Sequence, residues 1–406
     1  MTENDQRTDW PRVCLLVAAG MVAACQIGKV PPALPVLRLD LGIGLVTAGW
    51  VLGLFNLLGV VAGSVTGAIA ALIGERRAAL GGLWLVALAG ALGAAAPGES
   101  WLLVSRFAEG VGFLVVVIAI PALLARAAAP GDLKLAFGLW GAYMPVGTAT
   151  MILAAPLLME IAGGWRGLWL ANAALMAAIA VTLERATAGT VLAAPVAQPR
   201  HGGRAIAAGI LGDLRRTVAA PGPLLLAIAF GSYTLQYLAL TGFMPTIFVE
   251  QDFAPAAAAQ LTALVVLVNA FGNFAGGTLL HHGLARWMLM ATASATMAVS
   301  TLLIYAANAG FAWRYAACLA FSFVGGLLPT SALGGAAALA PERRLIPIAN
   351  GLVVQGSNIG QVIGPPAVAA LAAWAGGWQM SPLIFIAAGS VGVAAAVLLR
   401  RIERAP

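Results

Sequence analysis

Charge is what this sequence has least of. Asp, Glu, Lys and Arg make up 9% of the 406 residues, against about 25% in ordinary soluble domains. That shortage excludes a water-facing exterior as the main environment. The three histidines and the three cysteines (Cys14, Cys25 and Cys318) show no metal-ligand spacing, and no disulfide framework follows from them. There is no H-E-x-x-H motif and no acidic pair at membrane depth, so an integral membrane enzyme finds no catalytic residues here. His281 and His282 stand together in an expected loop without an acidic partner. No metal and no cofactor are expected. The apolar runs are continuous and lack the period of two that a membrane β-barrel requires.

Apolar side chains are abundant, at 61% of the chain, with a mean hydropathy of +0.94. A bilayer-crossing helix needs about 20 apolar residues, and the apolar runs predict twelve such spans. They cover 13–36, 46–70, 78–96, 101–125, 135–159, 167–183, 223–249, 256–280, 287–307, 311–339, 345–374 and 381–399. The polar start, Met1 to Asp9, enters the first span without a small-residue cleavage site, so that span is expected to be retained. One connection is long. From Glu184 to Gly222 it holds Pro195, Pro199, Gly202, Gly203 and five arginines. The expected organisation is a six-helix bundle over 1–184, a cytoplasmic linker over 185–222 and a second six-helix bundle over 223–406.

The net charge of +7 would point to nucleic acid in a soluble protein, but its placement points to a bilayer. With the N-terminus inside, 17 of the 22 Lys and Arg residues fall at cytoplasmic positions, as the positive-inside rule requires. Lys29, Arg38, Arg106, Arg166 and Arg314 are the remainder. Both termini are then cytoplasmic, in a bacterial-type inner membrane, and no nucleic-acid partner is expected.

The halves echo each other. Gln26 and Pro35 match Gln236 and Pro245; Gly67 and Gly74 match Gly276 and Gly283; Arg106 and Pro121 match Arg314 and Pro329. Gly138 and Gly147 match Gly351 and Gly360, and Gly164-Trp165 recurs as Gly377-Trp378. Offsets of 208 to 213 residues in one order are what a duplicated transporter half leaves behind.

These residues resemble the major facilitator superfamily along the whole chain. Gly67-Ala-Ile-Ala-Ala-Leu-Ile-Gly74-Glu75-Arg76-Arg77 is similar to the family's G-x-L-A-D-R-x-G-R-R loop. Ala71, Leu72 and Glu75 replace its Asp and two Arg residues, which puts the family's cytoplasmic charge latch in question. Arg106-Phe-Ala-Glu109-Gly110 resembles the span 4 R-x-x-Q-G motif with Glu for Gln, and Gly164-Trp165-Arg166 fits the G-W-R signature. The antiporter G-P-x-x-G-G motif of span 5 survives only as fragments around Pro145 and Gly147. Within the superfamily the chain is faintly similar to the cyanate- and nitroimidazole-permease-like group. The resemblance implies an all-α fold of twelve transmembrane helices in two pseudo-symmetric six-helix bundles, with spans 1, 2, 4, 5, 7, 8, 10 and 11 lining a central cavity.

The polar residues sort accordingly. Gln26, Lys29, Gln236, Asn269, Asn273, Gln355 and Asn358 are candidate substrate-binding residues, and Tyr143, Tyr233 and Tyr237 could shape the pocket. The bland alternative for each amide is helix–helix glue, worth ~0.6 kcal/mol per bond. Lys29 reads as a positive anchor for an anion, or as a cation snorkelling to the external headgroups. Arg106 and Glu109 share a helix face at i and i+3. They form either an intrahelical pair or, as the resemblance implies for Arg106, part of the proton coupling, with Glu109 as carrier. Arg106 and Arg314 are expected as exposed cations flanking the external half.

The resulting expectation is a secondary transporter of a small organic anion, coupled to protons and working as a monomer. An exporter of drugs or metabolites is the alternative within transport. A membrane enzyme is the alternative of another class.

Overall fold

The computed structural model describes residues 7–61, 73–188, 212–213 and 215–403. Among them there is no strand. Gly67, Ala71 and Leu72 of the span 2 loop, and 189–211 of the long connection, lie outside the described residues.

Among the described residues, twelve helical segments coincide with the apolar runs of the sequence. They are α1 (Trp10–Leu41), α2 (Leu45–Val61), α3 (Glu75–Ala94), α4 (Glu99–Ala127), α5 (Leu133–Ile161) and α6 (Trp165–Ala186). After the long connection come α7 (Pro221–Val249), α8 (Pro255–His281), α9 (Arg286–Ile304), α10 (Phe311–Ala338), α11 (Ile346–Ala375) and α12 (Trp378–Glu403). Ten of these are long and apolar enough to cross a membrane. The two others have plain reasons to fall short. The described part of α2 is brief, and α11 carries Gln355, Ser357, Asn358 and Gln361 with Pro365 and Pro366. At 1.5 Å per residue, the 30 residues of α11 still extend ~45 Å.

The chain gathers into two compact units. The first holds Met1–Ile43, Val65–Ala197 and Met244–Ala263; the second holds Gly44–Ser64, Gln198–Phe243 and Leu264–Pro406. In the first unit α3 packs along α4 and α6, burying Leu83, Val86 and Gly90 while Leu85, Leu88 and Leu92 stay exposed. An exposed stripe without a polar side chain suits hydrocarbon, where backbone groups must be satisfied inside the helix. In the second unit α2 lies on α11 along a glycine seam. A Cβ on Gly49 would come within 2.7 Å of the Pro366 Cα, and one on Gly53 within 2.8 Å of the Val362 carbonyl oxygen. At Gly59 the missing Cβ leaves room for the Asn358 amide. Small residues at such crossings allow the backbone approach on which helix association in lipid depends.

Candidate functional site

Polar side chains inside the first unit converge on a break in α1. Its helix yields at Lys29, because Pro31 and Pro32 offer no N–H to the carbonyls of Ile27 and Gly28. Lys29 is fully buried. Its Nζ donates to Gln26 Oε1 at 2.6 Å and to Glu109 Oε1 at 2.7 Å, and lies 4.5 Å from the centre of the Trp169 ring. The other Glu109 oxygen accepts from Arg106, one turn earlier on α4. Arg106 also donates to the Gln26 carbonyl at 3.2 Å. The bonds thus close a loop from Gln26 through Lys29, Glu109 and Arg106 back to Gln26. From α6, Asn172 Oδ1 accepts from Gln26 Nε2 at 2.5 Å.

Gln26, Lys29, Arg106, Glu109 and Asn172 are each at most 1% exposed. Two cations share one carboxylate, leaving a formal charge of +1 in a site closed off from the surface. Such charge is tolerated at membrane depth only when paired and hydrogen-bonded. Lys29 does not reach the external headgroups, since its ammonium ends on Glu109. Arg106, expected to be exposed, is buried, because Glu109 and the Gln26 carbonyl both draw its guanidinium inward. Arg314 is half-buried and donates to the Ile304 carbonyl at 2.9 Å. Tyr143 lies apart from these bonds, half-buried and stacked on Trp140 at 4.3 Å.

The second unit holds neutral groups. Tyr233 stacks between Phe230 and Tyr237 at 5.9 and 5.5 Å, and its hydroxyl donates to Asn269 Oδ1 at 3.2 Å. Asn269 donates to the Ser322 carbonyl at 2.8 Å, and Asn273 donates to Asn269 at 3.0 Å. Thr330 donates to the Asn273 carbonyl at 2.8 Å. Gln236 is fully buried; its Nε2 donates to the Ser232 carbonyl at 3.1 Å, while Oε1 has no partner among the described residues. On α11, Gln355 is half-buried and Asn358 donates to the Val354 carbonyl at 3.0 Å.

The motif residues are engaged within the first unit. Trp165 Nε1 donates to Asp40 at 2.9 Å, and Arg166 pairs with the same carboxylate. Arg76 reaches Thr187 Oγ1 at 2.7 Å and the Glu184 carbonyl at 3.1 Å, tying the start of α3 to the end of α6. Glu75 pairs with Arg126 at 2.8 Å. Sequence reasoning missed Asn172 and Trp169. The signal was there for Asn172, the one amide in the apolar run of α6. No rule of spacing ties it to Gln26, 146 residues away.

Comparison with known proteins agrees with this architecture. The family described as Major Facilitator Superfamily matches residues 16–345. A stretch of 170 residues is 32% identical to the puromycin resistance protein pur8 of Streptomyces alboniger, covering 42% of this chain and 33% of that one. Solved structures of other transporters share the fold. The bacterial homologue of the human lysosomal transporter Spinster, inward-facing and occupied, has a TM-score of 0.80 and 13% identity, over 99% of this chain and 98% of that one. A POT family transporter in complex with a thioalcohol-conjugated peptide has a TM-score of 0.73 and 15% identity, over 96% of each chain. With the family matched over most of its length and its fold along nearly all of it, this chain belongs to the Major Facilitator Superfamily of membrane transporters.

Proposed function

We propose that the protein is a secondary active transporter that carries a small organic anion by alternating access, with Glu109 as the proton carrier. The observation that carries the reading is the buried loop of Lys29, Glu109 and Arg106. A carboxylate that holds two buried cations loses the charge that pairs them when it takes up a proton, so protonation is tied to rearrangement of α1 against α4. The formal charge of +1 favours a substrate that brings negative charge. The moving parts in this reading are the sequence repeats, 1–184 and 223–406, joined by 185–222, in a monomer of the inner membrane with both termini cytoplasmic. Gln236, Asn269, Asn273, Gln355 and Asn358, with Tyr143, Tyr233 and Tyr237, are the neutral groups proposed to orient the solute. Lys29→Gln is then expected to weaken substrate binding far more than it lowers expression.

The test is uptake by proteoliposomes under an imposed pH difference, with monocarboxylates, cyanate and a cationic dye as probes. An anion should accumulate in the wild type. Glu109→Gln should lose that accumulation yet retain exchange, which needs no net proton movement. Because that variant leaves two buried cations, Lys29→Gln/Glu109→Gln is the charge-matched control. Accumulation by Glu109→Gln under a pH difference alone would remove Glu109 from the role. Export is the second reading, favoured by the likeness to a puromycin resistance protein. Uptake of the dye into inside-out vesicles, without anion uptake, would decide for it.

A further inference from the structure

Asn172 takes no part in the proposal so far, yet it is the residue on which the Gln26 amide depends. An amide oxygen accepts and an amide nitrogen donates, whereas a lysine ammonium can only donate. With Lys29 at 2.6 Å the Gln26 oxygen must face the ammonium, so its nitrogen faces away and needs an acceptor. Asn172 Oδ1 supplies it at 2.5 Å. Asn172 Nδ2, in contrast, is buried without a partner among the described residues. A buried, unpaired donor is destabilising, and the rest of this run of α6 is apolar (Leu168, Trp169, Ala173, Leu175 and Met176). On packing grounds leucine would serve better here. What leucine lacks is the acceptor.

We infer that Asn172 is a positioning residue: it holds the Gln26 amide with its oxygen toward Lys29, and through Lys29 it sets how tightly Glu109 holds a proton. The inference rests on the reading of Glu109 as proton carrier. The charged groups facing Glu109 are Lys29 from α1 and Arg106 from its own helix. From α3 it meets Gly90, which α6 faces with Ala173; Cys25 lies one turn before Lys29. No other charge is therefore placed to mask the loss of one Lys29 partner. Without Asn172 the Gln26 nitrogen is buried with no acceptor, a cost relieved when the amide turns away from Lys29 and leaves it Glu109 and the face of Trp169.

The purified full-length protein in detergent provides the test, by infrared titration of the carboxyl C=O band that Glu109→Gln removes. Asn172→Leu is expected to move the midpoint of that band by about one pH unit, a tenfold change in proton affinity. Gln26→Leu should move it equally, and the double variant no further than either, since both act through one amide. If Asn172→Leu does not fold, Asn172→Ala is read the same way. An unmoved midpoint overturns the inference, and so do shifts that add in the double variant. A wild-type band that does not titrate removes the proton-carrier reading and this inference with it. A band that titrates but ignores position 172 removes the inference alone.

Discussion

The charge centre of the first unit and the neutral groups of the second share two equivalent positions of the sequence repeat, yet one is charged and the other is not. Gln26 and Gln236 are equivalent, as are Arg106 and Arg314. At the same offsets Lys29 corresponds to Ala239, Glu109 to Ala317 and Asn172 to Phe385. Of the groups gathered around Gln26, Lys29, Glu109 and Asn172 are thus replaced by apolar residues in the second half, and Arg106 is kept as Arg314. The consequence is visible in one atom: Gln26 Oε1 holds an ammonium, and Gln236 Oε1 is buried with no partner among the described residues. Duplication supplies a scaffold in which one half holds charge and the other holds neutral donors and acceptors.

The sharpest way to break the comparison is to remove the carboxylate. Glu109→Gln leaves Lys29 and Arg106 as two buried cations, and breaking a buried pair in this way costs about 3–5 kcal/mol. Thermal unfolding in detergent should show this as the largest loss among the variants considered. Lys29→Met should lose clearly less, because Arg106 and Glu109 remain as a neutral pair. Equal losses would mean that the cations do not share the carboxylate.

In the second unit the counterpart is Asn269→Leu. It strands the Tyr233 hydroxyl, while the Asn273 amide keeps the main-chain carbonyl of residue 269, and it exposes no charge. A buried group left unpaired costs about 1–3 kcal/mol, so the same unfolding measurement should place this variant between the two above and wild type. A loss as large as that of Glu109→Gln would erase the distinction between charged and neutral centres.

Smaller effects are expected where the halves agree. Arg76 joins the start of α3 to the end of α6, and in the second half Arg286, one place beyond its repeat equivalent, joins the start of α9 to Glu403 at the end of α12, at 3.0 Å. These contacts are partly exposed, and exposed pairs contribute about 0–1 kcal/mol. Arg76→Ala and Arg286→Ala should each lower stability by no more than that and by similar amounts. A loss several-fold larger on one side would mark that clasp as part of a conformational latch.

Most of the fold was legible from the sequence, because hydrocarbon demands long apolar helices and little else crosses it. The twelve runs and the pairing of Arg106 with Glu109 follow from hydropathy and helical spacing. Which polar residues meet was not legible. Lys29 finds its carboxylate 80 residues away and Gln26 its acceptor 146 residues away, distances at which periodicity is silent. The exposure expected of Arg106 failed for the same reason. A cation near a span end reads as solvated until a buried carboxylate and a carbonyl from another helix draw it in. Nothing in the sequence ties Gly49, Gly53 and Gly59 to a contact, and it is the partner helix α11 that turns them into a seam.

The smallest expected effect is the most discriminating, and it concerns Gln236. Among the described residues its Oε1 is a buried acceptor without a donor, and its Nε2 reaches the Ser232 carbonyl of its own helix. Replacing such a group by an apolar one of similar shape removes a desolvation penalty along with one weak bond, so the net change is near zero or stabilising by up to about 1 kcal/mol. Gln236→Leu should therefore unfold at or slightly above the wild-type temperature. If the oxygen exists to meet a donor on the transported solute, the same variant should also lose transport, because the bound solute would find carbon where it needs an acceptor. Stability kept and uptake lost would give Gln236 a binding role. Stability kept and uptake unchanged would make it a remnant of the repeat, carried over from the half in which Lys29 gives its counterpart something to hold.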